Sequence, residues 1–214
     1  MKDTLPSEVG TMNEIAAAQR RATGYWFVDG LAEIAGGTAT LLVGALLYLA
    51  VRTGVEGLAT VAMGVLIVAF PVSAWVVRVL KERITYPRTG FVAYAPPSRV
   101  RLFAAAAIGF LVAGLMVPLQ VFARGGEVSA VVLGFGAAVG AVTALRAWRT
   151  GAPRFYVVAA ALVVASAILA TNGTGIQDGI GLMLVFNGAT LVVSGVWVLV
   201  RYLRANRTVE GGAA

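Results

Sequence analysis

The chain has 214 residues, 59% of them hydrophobic and 13% charged, with 17 Lys and Arg against 10 Asp and Glu for a formal net charge of +7. Soluble domains run at about 45–50% apolar and about 25% charged residues, so this composition, with its mean hydropathy of +0.85, excludes an ordinary soluble fold and points to the bilayer. The chain contains neither His nor Cys, which excludes His-based acid–base chemistry, zinc sites built on His or Cys, the HExxH proteases, and disulfide or thiol redox chemistry.

Residues 1–24 read as a polar arm with no cleaved signal peptide. Within it, residues 11–22 form an amphipathic pattern: Thr11 and Glu14 have capping-box spacing, Met12, Ile15 and Ala16 share a face, and Arg20 and Arg21 are left for headgroups. This segment is expected to lie on the inner leaflet. Residues 25–204 then carry six stretches free of charge and long enough to cross a bilayer: Ile34–Val51, Gly57–Val77, Leu102–Ala123, Val128–Leu145, Phe155–Gln177 and Gly179–Val200. A helix needs about 20 apolar residues to span the hydrocarbon, where unpaired backbone amides have no water to turn to. The expected fold is an all-α, polytopic membrane protein of six transmembrane helices, with spans near 27–51, 57–80, 100–123, 127–148, 153–171 and 177–203. The first begins near Trp26, Pro71 and Pro118 kink the second and third, Thr171–Asp178 is a turn, and residues 205–214 are a tail.

Orientation follows from charge. Fifteen of the 17 basic residues fall on the side of the termini, the second loop and the fourth loop, while Arg52 and Arg124 alone fall on the other. Cationic residues resist export, so both termini are expected in the cytoplasm, and Trp26, Trp75, Trp148 and Trp197 sit at the same helix ends. The basic residues mark helix ends rather than a soluble patch, so nucleic acid is not an expected partner.

The one substantial loop, residues 81–99, is read as cytoplasmic. It contains Tyr86, Pro87, Arg88, Thr89, Gly90 and Phe91, where Pro87 presets a turn and Gly90 permits positive φ. It is either a plain packed turn or the surface for a specific contact. Tyr25-Trp26-Phe27-Val28-Asp29-Gly30 and Tyr86-Pro87-Arg88-Thr89-Gly90-Phe91-Val92 resemble strings of an uncharacterised prokaryotic six-helix integral membrane protein family. The resemblance implies a prokaryotic inner (plasma) membrane location and carries no activity, cofactor or catalytic residue with it. A cytoplasmic Thr-Gly recurs at Gly24, Gly90 and Gly151, each before an odd-numbered span, which is consistent either with three repeated hairpins or with ordinary loop chemistry.

Ionisable groups inside a membrane are costly and therefore candidates for function. Asp29 and Glu33 lie four residues apart on one helical face that continues through Gly37, Thr40 and Gly44. Asp29 is expected to be hydrated near the headgroups. Glu33, about one turn deeper, is expected either to pair with Arg78, Arg101 or Arg201 or to serve a proton or cation. On the sixth span, Asn187, Thr190, Ser194 and Arg201 line one face beside Gly181, Gly188 and Gly195, which recur every seven residues. Gly136 and Gly140 form a GxxxG pair on the fourth. These stripes read either as helix packing or as a polar cavity between the first and sixth helices lined by Glu33 and Asn187. No cofactor or metal site is expected, and a lipid-facing enzyme built on Asp29 and Glu33 is the least favoured class.

Two functional classes follow. The first is a non-catalytic assembly or regulatory module that joins a second copy, or a membrane or cytoplasmic protein, through the 81–99 loop and the glycine-lined helices. The second is a small transporter, channel or substrate-binding membrane subunit that uses Glu33 and the sixth-helix stripe. Its size resembles that of the six-helix substrate-capture subunits of vitamin importers, an analogy of architecture alone.

Overall fold

The computed structural model describes residues 26–89 and 128–206. The surface helix expected over 11–22, the third span with Pro118 and Arg101, and Gly90 and Phe91 of the contact loop lie outside them. The described residues form α1 (Leu31–Thr53), α2 (Glu56–Leu80), a π-helical turn (Lys81–Thr85), a further helical turn α3 (Tyr86–Thr89), α4 (Val128–Thr150), α5 (Arg154–Thr171) and α6 (Ile176–Ala205). No strand occurs among them. Four of these helices, α1, α4, α5 and α6, are long and apolar enough to cross a membrane, and a fifth span exists if the two halves of the bent helix, Gly57–Ala69 and Pro71–Arg88, count as one. The halves meet at 44°. Pro71 lacks an amide and its ring crowds the preceding turn, so a bend is expected there.

Two elements differ from the expectation. The first helix begins at Leu31 rather than near Trp26, because Gly30 takes φ +72°, a left-handed conformation that halts the helix and that side chains rarely adopt. Residues 81–89, expected as loop, continue the helical path of α2, with Lys81 and Thr85 fully buried. The helical path runs through Pro87 rather than breaking in a turn there.

The bundle is organised by close backbone approach of α1 and α6, which run antiparallel. Gly30 faces Gly195, Gly37 faces Gly188 and Gly44 faces Gly181. A methyl built on Gly37 would stand 2.8 Å from the Gly188 carbonyl oxygen, one on Gly195 2.7 Å from that of Gly30, and one on Gly44 2.9 Å from that of Gly181. The seven-residue glycine period on each helix therefore makes one continuous seam, in which dispersion between backbones replaces the hydrophobic drive that lipid cannot supply. Along the seam the two backbones are in direct contact. Gly136 and Gly140 pack α4 against α5 in the same way, opposite Ser166 and Ala159. A small core of Phe27, Phe155, Leu162, Met183 and Leu191 fills the remaining interior, with the Phe27 and Phe155 rings edge to face at 5.7 Å. Ile67, Val157 and Val193 are 70% or more exposed, an apolar exterior of the kind lipid solvates.

Every described Lys and Arg except Arg52 lies at the end of the bundle formed by the start of α1, the end of α2, the end of α4, the start of α5 and the end of α6. Trp75, Trp148 and Trp197 project outward from the same region, about two-thirds exposed. At the opposite end Arg52 pairs with Asp178 at 3.2 Å.

Gly188→Ala places a methyl 2.6 Å from the Gly37 carbonyl oxygen and should lower stability by about 1–3 kcal/mol through overpacking. Gly64→Ala on α2, where a methyl meets nothing within 4 Å, should be neutral or stabilising by up to about 1 kcal/mol. Thermal unfolding of both variants in the same detergent checks the contrast.

Candidate functional site

The basic end holds two buried carboxylates, and each is enclosed by its own set of donors. Asp29 is fully buried, not hydrated. One of its oxygens accepts from the Leu31 amide at 3.1 Å, which satisfies a free N–H of the first turn of α1. The other accepts from Lys81 Nζ at 2.5 Å and from the Thr85 hydroxyl at 2.7 Å. The π-helical turn matters here. Its wider winding brings Lys81 and Thr85 to one oxygen atom, a use of the π geometry that suits a polar site. The Lys81 ammonium also lies 5.0 Å from the centre of the Trp26 ring. Buried ions such as Asp29 and Lys81 persist because they are paired, here with three donors on the carboxylate and the Trp26 ring beside the ammonium.

Glu33 is likewise buried, but its partner is Arg154 at the start of α5 and not Arg78 or Arg201. Arg154 donates to one Glu33 oxygen through Nε at 3.0 Å and through a terminal nitrogen at 2.5 Å, and Nε also reaches the second oxygen at 3.3 Å. The same terminal nitrogen donates to the Phe27 carbonyl at 2.6 Å. Ser194 of α6 donates to the second Glu33 oxygen at 2.8 Å. A single carboxylate thus ties α1 to α5 and α6.

Beside these clusters a cavity of about 470 Å³ opens between α2 and α4, with α1 and α6 as its floor. Glu33 and Trp26 line it near the basic end together with Arg146, and Thr40, Ser73, Thr143 and Asn187 line it further in. The hydroxyls of Thr40 and Thr143 donate to carbonyls of their own helices, and that of Ser73 to the Ala35 carbonyl. The Asn187 Oδ1 is buried and accepts no hydrogen bond. Arg146 is held over the Phe27 ring at 4.4 Å and the Phe155 ring at 5.3 Å.

Of the residues singled out in the sequence, Asp29, Glu33 and Ser194 enter the ion-pair clusters, and Glu33 and Asn187 share the cavity. Thr190 turns back to the Phe186 and Asn187 carbonyls and joins neither. Arg201 is exposed and lines a separate pocket with Trp197 and Asn206. Arg88 donates to the Ile84 carbonyl. Lys81, Thr85, Arg146 and Arg154 were missed, although Lys81 and Thr85 repeat the four-residue spacing of Asp29 and Glu33. Their positive charges had already been explained by orientation. No group of three side chains suited to a metal ion occurs among the described residues.

Asp29→Asn leaves Lys81 charged and buried without its counter-ion and should cost about 3–5 kcal/mol, whereas Asp29→Asn combined with Lys81→Met should recover most of the loss. A double-mutant cycle of thermal unfolding reads the difference. No family model, curated protein or solved structure matches the chain.

Proposed function

We propose that the chain is a non-catalytic, ligand-binding membrane module, inserted with its basic end and both termini at the cytoplasmic face of a prokaryotic inner membrane. The charge distribution supports the orientation, and the resemblance of the Tyr-Pro-Arg-Thr-Gly string supports the cell type. The cavity beside Glu33 and Asn187 carries the functional reading. A buried amide oxygen without a donor costs free energy unless a water or ligand meets it, and the Asn187 Oδ1 stands in that condition on the wall of a chamber large enough for a small molecule. The absence of His and Cys and the saturation of both buried carboxylates argue for binding rather than a chemical step.

The glycine faces first read as a contact surface are spent inside the chain, on the α1–α6 and α4–α5 seams. An assembly role is a second reading, and one observation favours it: Glu82, Arg83 and Pro87 are exposed on the helical extension beyond α2.

Native mass spectrometry of protein extracted gently from its own membrane separates the two. A single chain carrying a molecule of constant mass, lost in Thr143→Phe with the melting temperature unchanged, is the expected result. Chains with an empty cavity that instead hold a stoichiometric protein partner, released by Arg83→Glu, would replace the binding reading with assembly.

A further inference from the structure

Resting on the ligand-binding reading above, the balance of charge around the cavity indicates what kind of molecule it takes. Five ionic side chains meet behind and beside Phe27 at the basic end: Asp29, Glu33, Lys81, Arg146 and Arg154. Asp29 is matched by Lys81 and Glu33 by Arg154. Arg146 is the odd cation. It forms no ion pair and donates no hydrogen bond among the described residues, although a guanidinium carries five N–H donors. Its position is nonetheless fixed, since its guanidinium lies over two aromatic rings, one of which also lies under Arg154. An exposed cation held over ring faces at the rim of the cavity, without an ion pair or hydrogen bond among the described residues, is suited to a carboxylate or phosphate.

The rest of the cavity has the complementary character. Away from Arg146 its walls are mostly apolar, Val77, Val139, Val142 and Leu191, and the hydroxyls of Thr40, Ser73 and Thr143 among them donate to backbone carbonyls. With those hydroxyls already bonded, Asn187 Oδ1 is, among the described residues, the one open polar group on this surface, which otherwise suits an acyl chain better than a second charge. The cation stands where the basic end meets the headgroup level marked by Trp75 and Trp148, so an amphiphile can place its head on Arg146 while its chain lies between α2 and α4.

We infer that the cavity binds a single-chain amphiphile with an anionic head, a carboxylate or a phosphate monoester, its head paired with Arg146 and its chain along α4.

The test uses the full chain in nanodiscs of neutral phosphatidylcholine, with three probes of one chain type: oleate, oleoyl lysophosphatidate and uncharged monoolein. Oleate or lysophosphatidate should bind at least about tenfold more tightly than monoolein, the worth of one charge-assisted contact. Arg146→Gln should erase that preference without changing monoolein binding, and Arg146→Lys should retain most of it. The tighter of the two anionic probes tells a free acyl carboxylate from a lipid phosphate. Equal binding of charged and uncharged probes, or a preference that survives Arg146→Gln in a variant with the native melting temperature, overturns the inference. If no probe binds while a molecule sensitive to Thr143→Phe still co-purifies, the charge assignment fails and the ligand-binding reading stands; if nothing occupies the cavity, both fail.

Discussion

The contact between the backbones of α1 and α6 sets the geometry of everything else. Within a bilayer, apolar side chains gain little by leaving lipid for protein, so helices adhere where they can approach most closely. Three glycines on each helix, in step along an antiparallel pair, provide that approach over four turns. The seam fixes the rotation of both helices about their axes. Asp29 and Glu33 then have no choice of direction: Asp29 is carried toward the end of α2 and Glu33 toward α5 and Ser194.

The ion pairs depend on this rotation and in turn decide which helices can join the seam. α2 is held by Lys81 and Thr85 on Asp29, and α5 by Arg154 on Glu33. Asp29 precedes the left-handed Gly30 and Glu33 lies in the first turn of α1, so α2 and α5 are tied to carboxylates on different stretches of backbone. The gap between α2 and α4 is the geometric remainder of that arrangement, and it becomes the cavity. Its polar residues are therefore not an isolated constellation. Glu33 is at once a wall of the chamber and the anchor of the helix pair behind it.

The long apolar helices were legible in the sequence because uncharged length is a quantity that a linear reading measures directly. The expected limits 57–80 and 153–171 differ by a residue at most from α2 and α5. The glycine periods of α1 and α6 were visible too, though not that they faced each other, since register between distant helices leaves no trace in either one alone. The partners of the carboxylates were hidden for a different reason. Arginine and lysine at helix ends satisfy the orientation rule, and that explanation leaves no residue of surprise to mark Arg154 or Lys81 as buried. The helical path through Lys81–Thr89 was hidden by Pro87, which signals a turn or a helix start with equal force when its neighbours are unknown.

Helices α1 and α6 stand at opposite ends of the described chain, and this has a consequence for biogenesis. Helix α1 leaves the ribosome long before α6 exists. During that interval the glycine face of α1 is open to lipid, and Glu33 awaits both Arg154 and Ser194, while Asp29 needs only Lys81 and Thr85. The structure therefore closes in a set order, with the polar latch on α2 formed early and the backbone seam formed last. Contacts between distant segments form slowly because the intervening chain must first be ordered. A chain stalled before α5 holds Glu33 without its arginine, a form that quality control can recognise and remove.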